Sequence, residues 1–191
     1  MVVKIAIVKR KYNLLHFIVD LIEISMISAF LFGVTYIFIG QLTEVSGNSM
    51  YPNYLDKEKI IAEKVSIKVR PIKRGEVVIF VKPNTQERYI LIKRVIGLPG
   101  EIIKLSQGYV YINGEKLDEY YLDSEVNTNE IQDGVLTENT EYEIPSNSYI
   151  LLGDNRGEST DSRYFGPVPG DNIIARAAIV FYPIDRIRIV K

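Results

Sequence analysis

The 191-residue chain contains no cysteine and a single histidine, His16. The first absence removes disulfide frameworks, zinc–thiolate centres and thiol nucleophiles together. Any part of the chain outside the cell must therefore hold its fold by packing alone. The second absence is as restrictive. His16 precedes the long apolar stretch, so neither a Ser-His-Asp triad nor a multi-histidine metal site can be built from the residues C-terminal to that stretch. A nucleophile beyond residue 40 needs another base, such as lysine. A charge bias is missing too: 23 basic and 24 acidic residues leave −1, with no basic field to attract nucleic acid.

Apolar residues are plentiful, at 47% of the chain, enough for one domain with a core plus an anchor. Residues 1–16 carry Lys4, Lys9, Arg10 and Lys11 and read as a cytoplasmic segment. Residues 17–43 read as a transmembrane signal anchor. Within them the run from Ile24 to Thr43 is uncharged, and its 20 residues span about 30 Å as a helix, the thickness of a bilayer core. Asp20 and Glu23 lie just upstream, where an acid is less costly than at mid-bilayer. A cleavable signal peptide is the competing reading. The run is longer than a usual h-region, and no small-x-small site follows it before Ser46. A buried core helix fits less well, because the run is apolar on every face. The basic cluster precedes the span and the next basic residue is Lys57, so the positive-inside rule leaves residues 44–191 outside the cytoplasmic membrane.

Beyond Thr43 the texture becomes that of strands. Ile60–Val65, Glu76–Val81, Tyr89–Ile96, Glu101–Leu105, Ser148–Leu152, Ile174–Phe181 and Arg186–Val190 are short β-branched runs bounded by Gly, Pro or charge. Tyr109–Leu117 reads as a hairpin whose Asn113-Gly114 suits a type I′ turn. No convincing 3.6-residue periodicity is present beyond residue 43, so the expected domain is mainly β. Residues 118–143, rich in Asp, Glu and Asn, read as an exposed loop or small insertion.

Three segments offer chemistry. Ser46-Gly-Asn-Ser-Met-Tyr-Pro52 surrounds Ser49 with turn-forming residues. Such a turn can expose a hydroxyl beside backbone N–H donors, or it can be a plain linker between anchor and domain. In Leu91–Glu101, Lys93 interrupts an apolar strand and Arg94 comes next to it. Alternation sends their side chains to opposite faces, so one points toward buried surface. A buried lysine has a lowered pKa and can serve as a base; on an edge strand both charges would instead be solvated. Leu152–Gly166 holds Asp154, Arg156, Asp161 and Arg163, which can form a charge-balanced network. A calcium loop is the alternative there, but it lacks the terminal glutamate and carries two arginines.

The chain resembles the bacterial type I signal peptidases, in the short single-span form typical of Gram-positive bacteria. The resemblance is carried, in order, by Ser49-Met-Tyr-Pro, Arg74-Gly-Glu-Val-Val-Ile-Phe, Lys93-Arg-Val-Ile-Gly-Leu-Pro-Gly-Glu and Gly153-Asp-Asn-Arg-x-x-Ser-x-Asp-Ser-Arg-Tyr-Phe-Gly. It implies coiled antiparallel sheets with an apolar face toward the membrane, behind one N-terminal transmembrane helix. It implies Ser49 as nucleophile, with its own backbone N–H in the oxyanion site, and Lys93 as general base. Ser159 would orient the lysine amine. Arg94 with Asp154, and Asp161 with Arg163, would form structural ion pairs. No metal or organic cofactor is implied. The partners are signal-peptide-bearing pre-proteins, cut after small-x-small sequences, and the phospholipid membrane; nucleic acid is not expected, and a monomer is.

The chain departs from the family pattern in places. Pro52-Asn53-Tyr54 stands where Pro-Thr-Leu is usual, Lys57-Glu58 where Gly-Asp is usual, and Glu101 where Asp is usual. Gly47 stands where some relatives have a serine that helps hold the oxyanion. Two other functions compete. A self-cleaving repressor-type protease also uses Ser and Lys but would need a DNA-binding domain in place of an anchor. A catalytically impaired, membrane-anchored binding module of the same fold would not need Ser49, Lys93 and Ser159 intact.

Overall fold

The structure is a computed structural model that describes residues 14–38, 40–123 and 125–190. The chain divides into two units, up to Phe38 and from Ile39 onward. The basic cluster of residues 4–11 lies outside the described residues. In the first unit a single helix, α1, runs from Leu14 to Phe38. Its 25 residues amount to about 37 Å at 1.5 Å each. The stretch Leu14–Gly33 has mean hydropathy 1.9 and none of it is buried, so the helix is long and apolar enough to cross a membrane. The uncharged run of the sequence continues to Thr43, but the helix does not. Gly40–Glu44 forms a strand, β1, that pairs antiparallel with residues 59–63. Glycine costs a helix roughly 1 kcal/mol relative to alanine, and the partner strand satisfies the backbone groups that the helix gives up.

The second unit is built from β2 (Lys59–Glu63), α2 (Val65–Val69), β3 (Val77–Val81), β4 (Ile90–Gly97), β5 (Ile102–Ser106), β6 (Tyr109–Ile112), β7 (Glu115–Lys116), β8 (Glu141–Glu143), β9 (Ser148–Leu152), α3 (Ser162–Phe165), β10 (Val168–Pro169), β11 (Ile173–Tyr182) and β12 (Arg188–Ile189). All strand pairs are antiparallel. One sheet has the order β1-β2-β11-β3-β4-β9-β10, with β12 beside β11; a second has the order β7-β6-β5-β8.

The packing explains the sequence texture. β3 reads Val-Val-Ile-Phe-Val without alternation because both of its faces are covered. Val78 and Phe80 pack with Val95, Leu151 and Ile173, whereas Val77 packs with Met50, Tyr54 and Ile60. The second sheet buries Ile103, Leu105, Val110 and Ile112 against Ile96, Ile150 and Leu152. Its tight turn has Asn113 at φ 51° and Gly114 at φ 85°, the two positive values that a type I′ turn requires. The two short helices α2 and α3 span five and four residues, too few to write a helical period into the sequence.

Residues 118–143 are mostly irregular, as the composition suggests, but they are not simply exposed. Thr128 and Leu136 are buried, and Arg163 Nη1 donates to the Asn129 carbonyl at 3.0 Å. Arg156 clasps Glu119 through two nitrogens, at 2.5 and 3.2 Å. Two arginines from the segment after β9, Arg156 in its loop and Arg163 in α3, fasten the acidic segment down. Composition alone records its charges and not their partners.

Candidate active site

Two segments meet at the site. The first is the turn after β1, and its sequence fixes its position. Met50 is fully buried among Val45, Tyr54, Ile60 and Val77. By the scale for core methionines, that anchor contributes on the order of 2–5 kcal/mol. The Tyr51 N–H donates to Asn48 O at 3.0 Å and the Tyr54 N–H to Met50 O at 2.8 Å. Ser49, one residue before the anchor, is left half-buried with its hydroxyl free to face β4. The Ser49 N–H donates to no group among the described residues, so it is open to an incoming acceptor. Ser46 is exposed.

The second segment is β4, an interior strand between β3 and β9. Alternation places only one of Lys93 and Arg94 inside, yet each is 2% exposed. Their two faces are both covered, and the two charges are handled differently. Arg94 is fully engaged. Its Nε and Nη2 grip Asp154 at 2.8 and 2.6 Å, its Nη1 donates to Gly75 O at 2.8 Å, and its guanidinium lies 4.2 Å from the centre of the Tyr121 ring. Breaking such a buried pair by removing one partner costs roughly 3–5 kcal/mol. No carboxylate among the described residues pairs with Lys93. Its Nζ lies 2.6 Å from Ser49 Oγ and donates to Ile92 O at 3.1 Å. Burial pushes the Lys93 pKa down to about 8, against the opposing pull of Asp161 and Asp154.

The loop after β9 supplies the surroundings. Asp161 is buried and taken by Arg163, whose Nε and Nη2 reach it at 2.9 Å each. It also accepts the Gly153 N–H at 3.0 Å and caps α3 through the Arg163 N–H. Gly153 is needed for close approach. A Cβ there would collide with both the Ser159 hydroxyl and the Ser49 carbonyl, so these two groups are near neighbours across the glycine. The Asn155 N–H closes the same contact by donating to Ser49 O at 3.1 Å. Ser159 Oγ is buried with no hydrogen-bond partner among the described residues. The structure therefore brings Ser159 to the site without pairing it to Lys93. An unpartnered buried hydroxyl is uncommon.

A cleft of 80 Å³ opens beside the pair, lined by Thr43–Ser46, Ser49, Ile79 and Ile90–Lys93. The serine and the lysine share it with apolar walls from β3 and β4. Two larger hollows, of 420 and 490 Å³, contain neither residue. Among the described residues no cluster of His, Asp and Glu is arranged to hold a metal ion. Sequence reasoning passed over Glu119, which fixes Arg156, and noted Asn53 only as a departure from the family pattern, not as the amide that donates to Asp154 Oδ2 at 2.9 Å. Neither leaves a local signal, since each partner is dozens of positions away.

The sequence profile of a family described as signal peptidase, peptidase S26, matches residues 18–182. A probable signal peptidase I-2 from a Synechocystis strain is 34% identical over 154 residues, covering 78% of this chain and 66% of that protein, just under two thirds of its length. Signal peptidase I U of Bacillus subtilis is 35% identical over 172 residues, covering 89% of this chain and 90% of that one. A crystal structure of a signal peptidase I from Enterococcus faecalis V583 aligns with a TM-score of 0.44 and 27% identity, over 57% of this chain and 98% of that one.

Proposed function

The chain belongs to the type I signal peptidases, a family of serine endopeptidases, and on that premise we propose that it removes signal peptides from exported pre-proteins with Ser49 as nucleophile and Lys93 as general base. The observation that carries the proposal is the 2.6 Å approach of Lys93 Nζ to Ser49 Oγ, made by a buried lysine with which no acid pairs among the described residues. A neutral amine there takes the hydroxyl proton as Ser49 Oγ attacks the scissile carbonyl. The Ser49 N–H faces the oxygen that becomes negative. Lys93, now an ammonium, returns the proton to the departing amine. A water then hydrolyses the acyl-enzyme, with Lys93 again as base. The small cleft between Thr43–Ser46 and Ile90–Ile92 suits short side chains before the cut.

Ser159 fits this scheme as the hydroxyl that orients the amine. A neutral lysine has two N–H donors and one lone pair. Ile92 O takes one donor and Ser49 uses the lone pair. A second acceptor is needed, and the unpartnered Ser159 Oγ can supply it. Ser159→Ala should therefore slow turnover roughly ten- to a hundred-fold, the effect of one hydrogen bond to a buried amine. It should leave the melting temperature unchanged or slightly raised, because an unpaired buried hydroxyl is lost. Unchanged kinetics would remove Ser159 from the site.

The anchor is α1, with the N-terminus in the cytoplasm because Lys4, Lys9, Arg10 and Lys11 precede the span. Residues 44–191 are then the extracytoplasmic catalytic domain. Exposed Ile184, Ile187 and Ile189 give it an apolar face suited to a lipid surface. Intact protoplasts expressing the chain should cleave an Ala-x-Ala signal-peptide substrate added from outside, above the level of protoplasts expressing the Ser49→Ala chain. Cleavage that appears only after permeabilisation would overturn the orientation. No cleavage in either state would favour a catalytically impaired binding module.

A further inference from the structure

Asn53, Tyr54, Lys57 and Glu58 form one cluster behind the nucleophile turn. Lys57 takes a positive φ of 68°, a conformation that glycine adopts more freely, and its N–H donates to Val45 O at 2.8 Å. That turn carries Glu58 inward, to 1% exposure. The C-terminal segment supplies its partners. Arg186 Nε reaches Glu58 Oε1 at 2.7 Å, and Arg188 reaches both carboxylate oxygens at 3.0 and 2.8 Å. Arg188 Nη2 also donates to the Asn53 carbonyl at 2.5 Å, and its guanidinium stands 5.3 Å from the centre of the Tyr54 ring. Asn53 uses its amide on the other side, donating to Asp154 Oδ2 at 2.9 Å and to Tyr121 O at 2.7 Å.

Asn53 thus joins four segments: the nucleophile turn, the C-terminal arginines, the 118–123 stretch and the carboxylate that Arg94 grips. We propose that Asn53, held from behind by Arg188 and Glu58, is a positioning residue for the Ser49–Lys93 pair, acting through its hold on the Asp154 carboxylate that faces the lysine. The inference rests on the dyad reading of the site and deepens it.

A structural brace alone would predict something different. Asn53 is only partly buried, and without its amide Asp154 still holds both contacts to Arg94, so the fold should survive its loss. What changes is the field at Lys93. The acids acting on it are Asp161 and Asp154. Arg163 and the Gly153 N–H neutralise the first, while Arg94 and Asn53 neutralise the second. Tyr54, whose phenol burial pushes up to about 12, stays uncharged in the working range. Removing the Asn53 donor lets Asp154 act more strongly on the ammonium. More of the lysine is then protonated at neutral pH.

The test is the pH profile of signal-peptide cleavage by the full-length chain in detergent, alongside thermal melting. Asn53→Leu should lower kcat roughly ten-fold near neutral pH with KM little changed, and the deficit should shrink as pH rises. Asn53→Asp keeps the shape and sets a second carboxylate against Asp154, so its profile should move further toward alkaline pH. It carries the test if the leucine variant fails to fold. Asn53→Thr, which keeps a donor, should recover part of the rate. A profile that coincides with that of the native chain, or a loss equal at every pH, overturns the inference. The Ser49→Ala protein separates the two levels. If it cleaves, the dyad reading itself fails; if it is dead while Asn53→Leu and Asn53→Asp keep the native profile, only the role of Asn53 fails.

Discussion

Ser49→Ala should abolish signal-peptide cleavage, by a factor on the order of 10⁴ or more, and leave the melting temperature almost unchanged. The turn that carries Ser49 is held by Met50 in the core, by the Tyr51 and Tyr54 N–H donors, and by Asn155 on the Ser49 carbonyl. None of these involves the Ser49 hydroxyl, whose contact is with Lys93. Removing one half-exposed oxygen therefore deletes the nucleophile without disturbing its support. Ser46, three positions earlier, lines the same cleft but is exposed, and no side-chain bond holds it toward the lysine. Ser46→Ala should keep activity within a few-fold of the native rate. If Ser46→Ala is dead and Ser49→Ala active, the nucleophile has been assigned to the wrong turn residue.

Lys93→Met should be as inactive, and it should also be the more stable protein at neutral pH. Free lysine has a pKa near 10.4 and is almost wholly protonated at pH 7. In the fold burial brings that value down to about 8, so roughly a tenth of the molecules carry the neutral base at pH 7. Cleavage should rise about ten-fold per pH unit below 8 and level off above it. The same depression fixes the sign of the stability effect. The folded pKa lies below the unfolded one, so between about 8 and 10.4 the unfolded chain holds the proton that the native chain has released, and stability rises with pH across that window. Below it the cost of a buried ammonium is fully present. Methionine removes that cost, and the gain should be about 3 kcal/mol at pH 7, fading between about pH 8 and 10.4 and absent above that window. Lys93→Arg should be inactive too, because guanidinium stays charged. Substantial activity in Lys93→Met would end the dyad mechanism, since no histidine or cysteine lies beyond residue 43 to replace the base.

Much of this was legible from the residues. The absence of cysteine and of a usable histidine narrowed the base to a residue such as lysine, and a lysine in the middle of an apolar strand stood out. The hairpin at Asn113-Gly114 was readable because a two-residue turn of that composition encodes its own dihedral angles. Strands β3 to β6 were readable because their β-branched runs end at Gly, Pro or charge. The illegible parts are those decided across the chain. Gly40–Glu44 continues an apolar run and became a strand only because β2 lies beside it. Arg94 is buried as deeply as Lys93 because Tyr121 and Asp154, 27 and 60 positions away, cover and neutralise it. Residues 118–143 look like a solvated loop until Arg156 and Arg163 claim Glu119 and Asn129. Ser159 was placed by resemblance, and its unpaired hydroxyl could not have been read from its neighbours in sequence.

The most direct test is the titration of the Lys93 amine itself. The full-length chain, carrying ¹³C-labelled lysine in detergent micelles, would show the Lys93 side-chain resonance by its loss in the Lys93→Met protein. Tracked against pH, that resonance should move with a midpoint near 8. A midpoint at or above the free-lysine value of about 10.4 would mean an ammonium at every working pH, unable to take a proton from Ser49, and would contradict the mechanism.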